Sequence, residues 1–199
     1  MFEAILTIKQ NCRRCFTCVR DCPVKAIKIV DGQASVVPGR CISCGNCTIV
    51  CSQDAKTYAG GLERAEEILG EGSPVAALLA PSFPAEFPGI KPGSIIGALK
   101  AAGFRYVVEV AFGADLVSRA YRDFLDTHQE GPWIGSSCPA VIEYVRKYQP
   151  ALTDRLVPIV SPMIATGLAV RSMYGKDTRC IFIGPCIAKK VEAADRKST

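Results

Sequence analysis

Long apolar runs are missing from this chain. The longest, Val75 to Ala80, is followed at once by Pro81 and then Pro84. It falls far short of the ~20 residues a membrane-spanning helix needs, so no membrane segment is expected. A secretory leader is missing too. The start MFEAILTIKQNCRRC reaches its first cysteine at position 12 with no basic region leading into an apolar stretch and a small-residue cleavage site, which predicts a cytoplasmic protein. No Gly-x4-Gly-Lys-Ser/Thr run occurs, so the Gly and Pro residues around Pro81–Gly93 are expected to shape a loop and not to cradle phosphate. Basic residues outnumber acidic ones only 24 to 19, with no basic helix or aromatic-interleaved pattern, which argues against a nucleic-acid partner. Disorder is excluded as well: at 199 residues, 49% hydrophobic and 22% charged, the chain can bury a core of one or two domains.

Cysteine is what the chain has in excess. Eight of the eleven lie within the first 51 residues. They form an internal repeat: Cys12-x2-Cys15-x2-Cys18-x3-Cys22-Pro23 returns 29 residues later as Cys41-x2-Cys44-x2-Cys47-x3-Cys51-Ser52. Two other chemistries compete for such residues. Zinc sites usually take two Cys-x2-Cys pairs on either side of a longer loop, a template these runs overfill. Disulfides suit small secreted scaffolds, and thiols three apart within one run pair poorly.

The repeated run resembles that of bacterial-type ferredoxins with two 4Fe-4S clusters, in which the fourth cysteine of each run serves the other cluster. The resemblance implies that Cys12, Cys15, Cys18 and Cys51 hold one cubane and Cys41, Cys44, Cys47 and Cys22 the other. Ser52 stands where the first run has Pro23, a departure expected to relax one turn without removing a ligand. Between the runs, Ala26–Val30, Asp31-Gly32 and Ala34–Val37 form the pattern of a β-hairpin expected to cover the clusters. Residues 1–52 carry seven Lys/Arg against three acids, a balance that would offset cluster charge.

Beyond Cys51, Leu62, Ala65, Ile68 and Leu69 recur at helical spacing and predict a linking helix. Apolar strands then alternate with amphipathic helices: strands at 75–79, 106–110, 133–135, 156–160 and 179–183, helices at 93–102, 113–125, 139–148 and 162–174, and a further helix starting after Cys186. The expected architecture is an α+β ferredoxin-like head followed by an α/β domain with a largely parallel sheet. The domain boundaries are set at 1–55 for the head, 56–73 for the linking helix and 74–199 for the body.

Cys138 and Cys186 each follow an expected strand and begin an expected helix, the place where open α/β sheets gather ligands and where a helix N-terminus favours thiolate. Lys189 and Glu192 lie three and six residues beyond Cys186 and share a helix face with it. Cys180 falls inside a strand and is expected to be an inert core thiol. His128 is expected in a solvated loop and Trp133 in core packing.

Three stretches carry a second resemblance. GSSCPAVIEYVRKYQP (135–150), SPM (161–163) and GPCIAKKVEAADR (184–196) are similar to the iron-only (FeFe) hydrogenase large-subunit family, and so in order are Ala80-Pro81, Gly97-Ala98-Leu99 and Phe112-Gly113-Ala114-Asp115-Leu116. The resemblance implies that Cys138 and Cys186 bind the cubane part of an H-cluster and that Lys189 hydrogen-bonds a cyanide on its di-iron part. Ser137 stands where the family has a proton-donating cysteine, and a hydroxyl is a poor relay near neutral pH. Gly184 replaces a methionine, and Tyr121 and Phe124 stand roughly where acidic relay residues are expected. This pattern looks like the sensory branch of the family. The family's last two cysteines would lie beyond Thr199, so the chain is expected to be a fragment, with an H-cluster only if the missing C-terminal part is present.

The expected function is electron transfer through two 4Fe-4S clusters to an H-cluster-type site for hydrogen/proton conversion or hydrogen sensing. A redox protein partner, either a ferredoxin or an electron-transfer subunit, is expected, and a downstream signalling domain is a further expectation. The alternative is a non-catalytic iron-sulfur protein, an electron carrier or a hydrogenase-like cluster-assembly factor.

Overall fold

A computed structural model describes residues 3–195; Arg196, the end of the third hydrogenase-like stretch, lies outside them. In chain order the elements are β1 (Ile5–Thr7), α1 (Thr17–Arg20), β2 (Ile27–Val30), β3 (Gln33–Val36), α2 (Asn46–Ile49), β4 (Lys56–Tyr58), α3 (Leu62–Gly70), β5 (Val75–Leu79) and α4 (Phe83–Glu86). They continue with α5 (Pro92–Ala101), β6 (Tyr106–Glu109), α6 (Val110–Thr127), α7 (Pro139–Tyr148), α8 (Pro162–Tyr174), β7 (Arg179–Ile183) and α9 (Ala188–Ala194). The chain divides into two compact units. One holds the residues up to Gly60, Cys138–Leu156 and the segment from Cys186; the other holds Gly61–Ser137 and Val157–Pro185.

In the part of the first unit before Gly60 the cysteine repeat extends to the backbone. Strand β1 pairs antiparallel with β4, and β2 with β3. Helix α1 lies 29 residues before α2, and β2 begins 29 residues before β4. The left-handed positions repeat at the same offset: Arg14 (φ 60°) with Ser43 (56°), Phe16 (59°) with Gly45 (83°), and Lys25 (50°) with Asp54 (49°). Such conformations are uncommon outside glycine, so paired occurrences mark the same tight loop built twice. Substituting Ser52 for Pro23 does not relax its turn. Lys25 N–H donates to Cys22 O and Asp54 N–H to Cys51 O, both at 3.2 Å. The hairpin turns through Asp31 (φ 50°) and Gly32 (φ 74°), the pair of positive φ values that a two-residue hairpin loop requires.

In the second unit three parallel strands run in the order β6-β5-β7. The central strand, Val-Ala-Ala-Leu-Leu, is buried along its whole length, as a strand covered on both faces must be. Ala76, Leu78, Val110 and Val170 pack on one face with Cys180 and Phe182, and Val75, Ala77 and Phe104 pack on the other with Ile68, Leu69 and Leu99. Helices α6 and α8 cross closely at Gly113, where a Cβ would lie 2.3 Å from the Pro162 carbonyl oxygen.

Two expected strands do not form. Residues 133–135 and 156–160 each keep only a single bridged residue, Ile134 and Leu156. Pro132 and Pro158 remove the N–H groups a ladder needs, and one bond, Val157 N–H to Ile134 O at 2.9 Å, remains at this point. Helix α6 starts at Val110, three residues earlier than expected, directly from the end of β6. No described helix is long and apolar enough to cross a membrane.

Candidate iron-sulfur centres

Two cavities in the first unit are lined by the cysteines. Cys12, Cys15 and Cys18 of the first run share one with Cys51 of the second. Cys41, Cys44 and Cys47 share the other with Cys22. Each cavity thus holds three thiols of one run and the fourth of its mate. Among the described residues no three His, Cys, Asp or Glu side chains converge as ligands of a single ion do. Four thiols spread around a cavity fit a multi-atom cluster, whereas zinc draws four ligands to one point about 2.3 Å away.

The sulfurs are also met by hydrogen-bond donors, again in repeat-related pairs. Ala26 N–H donates to Cys22 Sγ at 3.2 Å and Ala55 N–H to Cys51 Sγ at 3.3 Å. Ser43 N–H donates to Cys41 Sγ at 3.3 Å. The N–H groups of Ala34 and Arg14 hold the Cys12 thiol below its ordinary pKa, and the N–H and hydroxyl of Thr17 do the same for Cys15. Burial acts oppositely on Cys18, and pushes Cys47 up to about 11. These buried thiols therefore give up their protons to a metal more readily than to solvent. Cys15 and Cys44, repeat mates, are exposed.

Cys138 and Cys186 are also exposed, and both fall in the first unit. Cys138 is the N-cap of α7, with Pro139 at the first helical position, where a missing N–H costs nothing. Its carbonyl accepts from Val141 and Ile142. Cys186 precedes α9 by two residues, and its carbonyl accepts from Lys189 N–H at 3.2 Å. The expectation that both follow strands holds for Cys186 alone, since residues 133–135 form none.

The two helices that begin near these thiols pack against the second cysteine loop. Tyr148, the last residue of α7, donates its hydroxyl to Arg40 O at 2.7 Å and reaches Val24 O at 3.2 Å. Lys147 donates to Cys41 O at 2.7 Å while pairing with Glu143 at 2.8 Å. Ile187, next to Cys186, lies so close to Gly45 that a Cβ there would stand 2.8 Å from its Cδ1. Gly45 has Phe16 as its repeat mate, so the glycine marks the loop that another segment approaches. Lys189 and Glu192 do come together, Nζ to Oε2 at 2.7 Å, both largely buried.

In the second unit, Ser137 is exposed. Its neighbour Ser136, unremarkable in sequence, is buried. Ser136 N–H donates to the Tyr121 hydroxyl at 2.7 Å, and Ser136 Oγ donates to Ile159 O at 2.6 Å. The single hydroxyl proton of Ser136 is spent on that carbonyl, so Tyr121 is the donor in the 3.0 Å contact between the two hydroxyls. The chain of protons ends at a backbone carbonyl, a structural terminus and not a relay. Phe124, the other residue at an expected relay position, stacks on His128 with centroids 4.1 Å apart. His128, exposed and just past α6 as its C-cap, accepts the Trp133 indole N–H at its carbonyl, in the solvated position expected for it. At the C-terminal ends of β5 and β7 a cavity of about 480 Å³ is lined by Ala80, Ser82, Phe83, Glu86, Gly184 and Pro185 among others.

Sequence reasoning missed Tyr148, Lys147, Ser136 and Lys56. Only Lys56 left a usable signal, which superposing the two repeats beyond their cysteines would have exposed.

Two family models match the chain: iron only hydrogenase large subunit, C-terminal domain, over residues 73–199, and 4Fe-4S dicluster domain over residues 4–52. The chain is similar to the NADP-reducing hydrogenase subunit HndD of Solidesulfovibrio fructosivorans, 26% identical over 77% of this chain and 31% of that protein. It is 30% identical to iron hydrogenase 1 of Clostridium pasteurianum over 51% of this chain and 20% of that one. The cytosolic Fe-S cluster assembly factor NAR1 of Kluyveromyces lactis is 33% identical over 45% of this chain and 20% of its own. The chain spans about a third or less of the length of these relatives. An apo variant of the FeFe-hydrogenase HydA1 from Chlamydomonas reinhardtii superposes with a TM-score of 0.54 at 25% identity, over 69% of this chain and 41% of that one.

Proposed function

We infer the function from membership: the chain belongs to the iron-only hydrogenase large-subunit family, and it is an iron-sulfur electron-transfer protein of hydrogenase-like kind with 4Fe-4S clusters. Within that family we propose that Cys12, Cys15, Cys18 and Cys51 hold one cluster and Cys41, Cys44, Cys47 and Cys22 the other, in a dicluster head that runs past the expected end at 55 through β4, which pairs with β1. The observation that carries this reading is the pair of cavities, each lined by three cysteines of one run and the fourth of its mate. When bound, such clusters take up and release single electrons.

The chain's own residues then supply ligation, hydrogen bonds to sulfur and a direction. Tyr148, Lys147 and Ile187 tie the segments that carry Cys138 and Cys186 to residues around the second cavity, Val24, Arg40, Cys41 and Gly45. We assign Cys138 and Cys186 as ligands of the cubane of an H-cluster-type site and Lys189 as the hydrogen-bond donor to its di-iron part. Electrons are therefore expected to enter at the first run, from a ferredoxin or an electron-transfer subunit, and to leave by the second.

For the chemistry at that site we favour hydrogen sensing over rapid turnover, with output to a signalling domain. Ser137 offers a hydroxyl where a thiol would move protons, the Tyr121–Ser136 chain ends at a carbonyl, and Lys189 is held by Glu192. Anaerobic iron and sulfide quantification with EPR tests the head: about eight irons and two cubane signals support it, and zinc without sulfide sinks it. Ser137→Cys in a full-length version that carries the family's last two cysteines, loaded by hydrogenase maturation enzymes, tests the rest. Hydrogen turnover should rise at least tenfold, and an unchanged rate means that the missing thiol is not what limits the wild type.

A second reading, a non-catalytic iron-sulfur role, draws support from the similarity to the NAR1 assembly factors. It predicts full cluster content with no hydrogen-dependent dye reduction in either the wild type or the Ser137→Cys variant.

A further inference from the structure

The two cysteine cavities are repeat mates in nearly every lining position, and at two of these the mates differ in charge: Arg13, which is exposed, stands where the second cavity has Ile42, and the other is a buried lysine. Ala55 lines the first cavity as Ala26 lines the second, at the 29-residue offset. At the next position the first cavity has Lys56 and the second has Ile27. Both are buried, Lys56 at 5% exposure and Ile27 at 7%. A lysine is almost never buried this far unless paired. Among the described residues Lys56 has no carboxylate partner within ion-pair distance. Its ammonium is held by Thr7 Oγ1 at 2.5 Å and by Ala34 O at 2.9 Å, two neutral acceptors on β1 and β3. The fold thus fixes a positive charge at the wall of one cavity and leaves hydrocarbon at the same place in the other.

We propose that Lys56 is the residue that makes the two clusters electrically unequal, raising the reduction potential of the cluster held by Cys12, Cys15, Cys18 and Cys51 above the value its repeat-related setting would otherwise give. This rests on the ligand assignment of the proposed function. Reduction adds one electron and one unit of negative charge to a cluster, with no bond made or broken, so a fixed ammonium stabilises the reduced form more than the oxidised one. Burial takes Lys56 out of the solvent that screens Arg13 and Arg14, the other cations near that cavity, which are exposed. Lys56 lines the first cavity and not the second. The effect should therefore be largest at the first cluster and smaller at the second. It sets a pool for the entering electron next to the exposed Cys15.

The test is an EPR-monitored reductive titration with dithionite of the protein reconstituted with iron and sulfide, alongside iron and sulfide counts for every variant. Lys56→Gln keeps donors for Thr7 and Ala34 and removes the charge. It should lower one couple by at least tenfold in its reduction equilibrium, about 59 mV for a one-electron step, and the other by less. Lys56→Arg should restore most of the difference. Ile27→Lys, which writes the same charge into the second cavity, should raise the other couple, and Arg14→Gln should move neither by more than about threefold. Loss of clusters, or zinc in their place, in the wild type itself would strike at the ligand assignment. Two intact clusters whose couples stay within threefold of the wild type in Lys56→Gln would overturn the role of Lys56 alone. So would equal shifts in Lys56→Gln and Lys56→Arg. Where Lys56→Gln fails to load, Ile27→Lys decides: an unmoved second couple rejects the proposal.

Discussion

Gly184 offers a sharp test because sequence and structure explain it differently. In sequence it is a lost methionine beside Cys186. In the structure it is a glycine that the ends of β5 and β7 require: a Cβ there would stand 2.7 Å from the Ala80 Cβ and 2.8 Å from Cζ of Phe182. Carbon atoms in contact rest at about 3.5–4.0 Å, so the two strand ends would have to part by roughly 1 Å. They cannot part freely, because Ala80 N–H donates to Ile183 O at 2.9 Å and Phe182 packs with Leu78, Val110 and Val170. Overpacking against such restraints costs typically 1–3 kcal/mol, and the backbone bond places Gly184→Ala toward the upper end, about 2–3 kcal/mol. In a protein of this size each kcal/mol moves the midpoint by roughly 2–4 °C, so Tm should fall by roughly 5–10 °C. The assay is anaerobic thermal unfolding of cluster-loaded protein at one fixed scan rate. Removing the obstacle in Ala80→Gly/Gly184→Ala should recover at least about 1 kcal/mol relative to the sum of the single changes. A Gly184→Ala midpoint within 2 °C of the wild type, or strict additivity in the double variant, refutes the reasoning. Restoring the methionine at position 184 by itself should for the same reason destabilise the protein and not raise its activity.

Two further outcomes follow from the cysteines. Cys51→Ser should cut the iron content from about eight to about four by removing the cluster of Cys12, Cys15 and Cys18, while Cys22→Ser should remove the other; if each change empties its own run instead, the crossed ligation is wrong. Cys180 is half-buried among Ala76, Leu78 and Phe182, and burial raises its pKa, so less thiolate is present at pH 8 than for an ordinary thiol. Brief iodoacetamide treatment of protein loaded with the two head clusters alone, which leaves Cys138 and Cys186 unligated, followed by peptide mass spectrometry should find Cys180 unmodified when the exposed Cys138 and Cys186 are labelled. Equal labelling of Cys180 and Cys138 would remove the core-thiol reading.

Much of this protein was legible as pattern. The 29-residue cysteine repeat sufficed to expect two equivalent loops, because iron ligation needs sulfurs at set intervals and the intervals are local. Helices α7 and α8 and strands β5 and β7 came out at their expected bounds, since apolar periodicity and flanking prolines are local as well. The strands expected at 133–135 and 156–160 failed for a reason that was already in the sequence, Pro132 and Pro158, whose missing N–H groups outweigh a short apolar run.

What only the tertiary structure decided concerns groups whose meaning depends on distant partners. Tyr148 and Lys147 look like the polar end of an amphipathic helix, yet they bond carbonyls more than 100 residues away. Ser136 is unremarkable in sequence, yet it is buried, takes the Tyr121 hydroxyl and gives its own proton to Ile159 O. Lys56 looks like one more cation in a basic head, and becomes the buried charge of one cavity only because β4 returns to pair with β1 and carries it beneath Ala34. Sequence by itself determined how many thiols there are and at what spacing they recur, since these are covalent facts. The electrostatic difference between two repeated sites depends on burial, and burial exists only once the chain has folded.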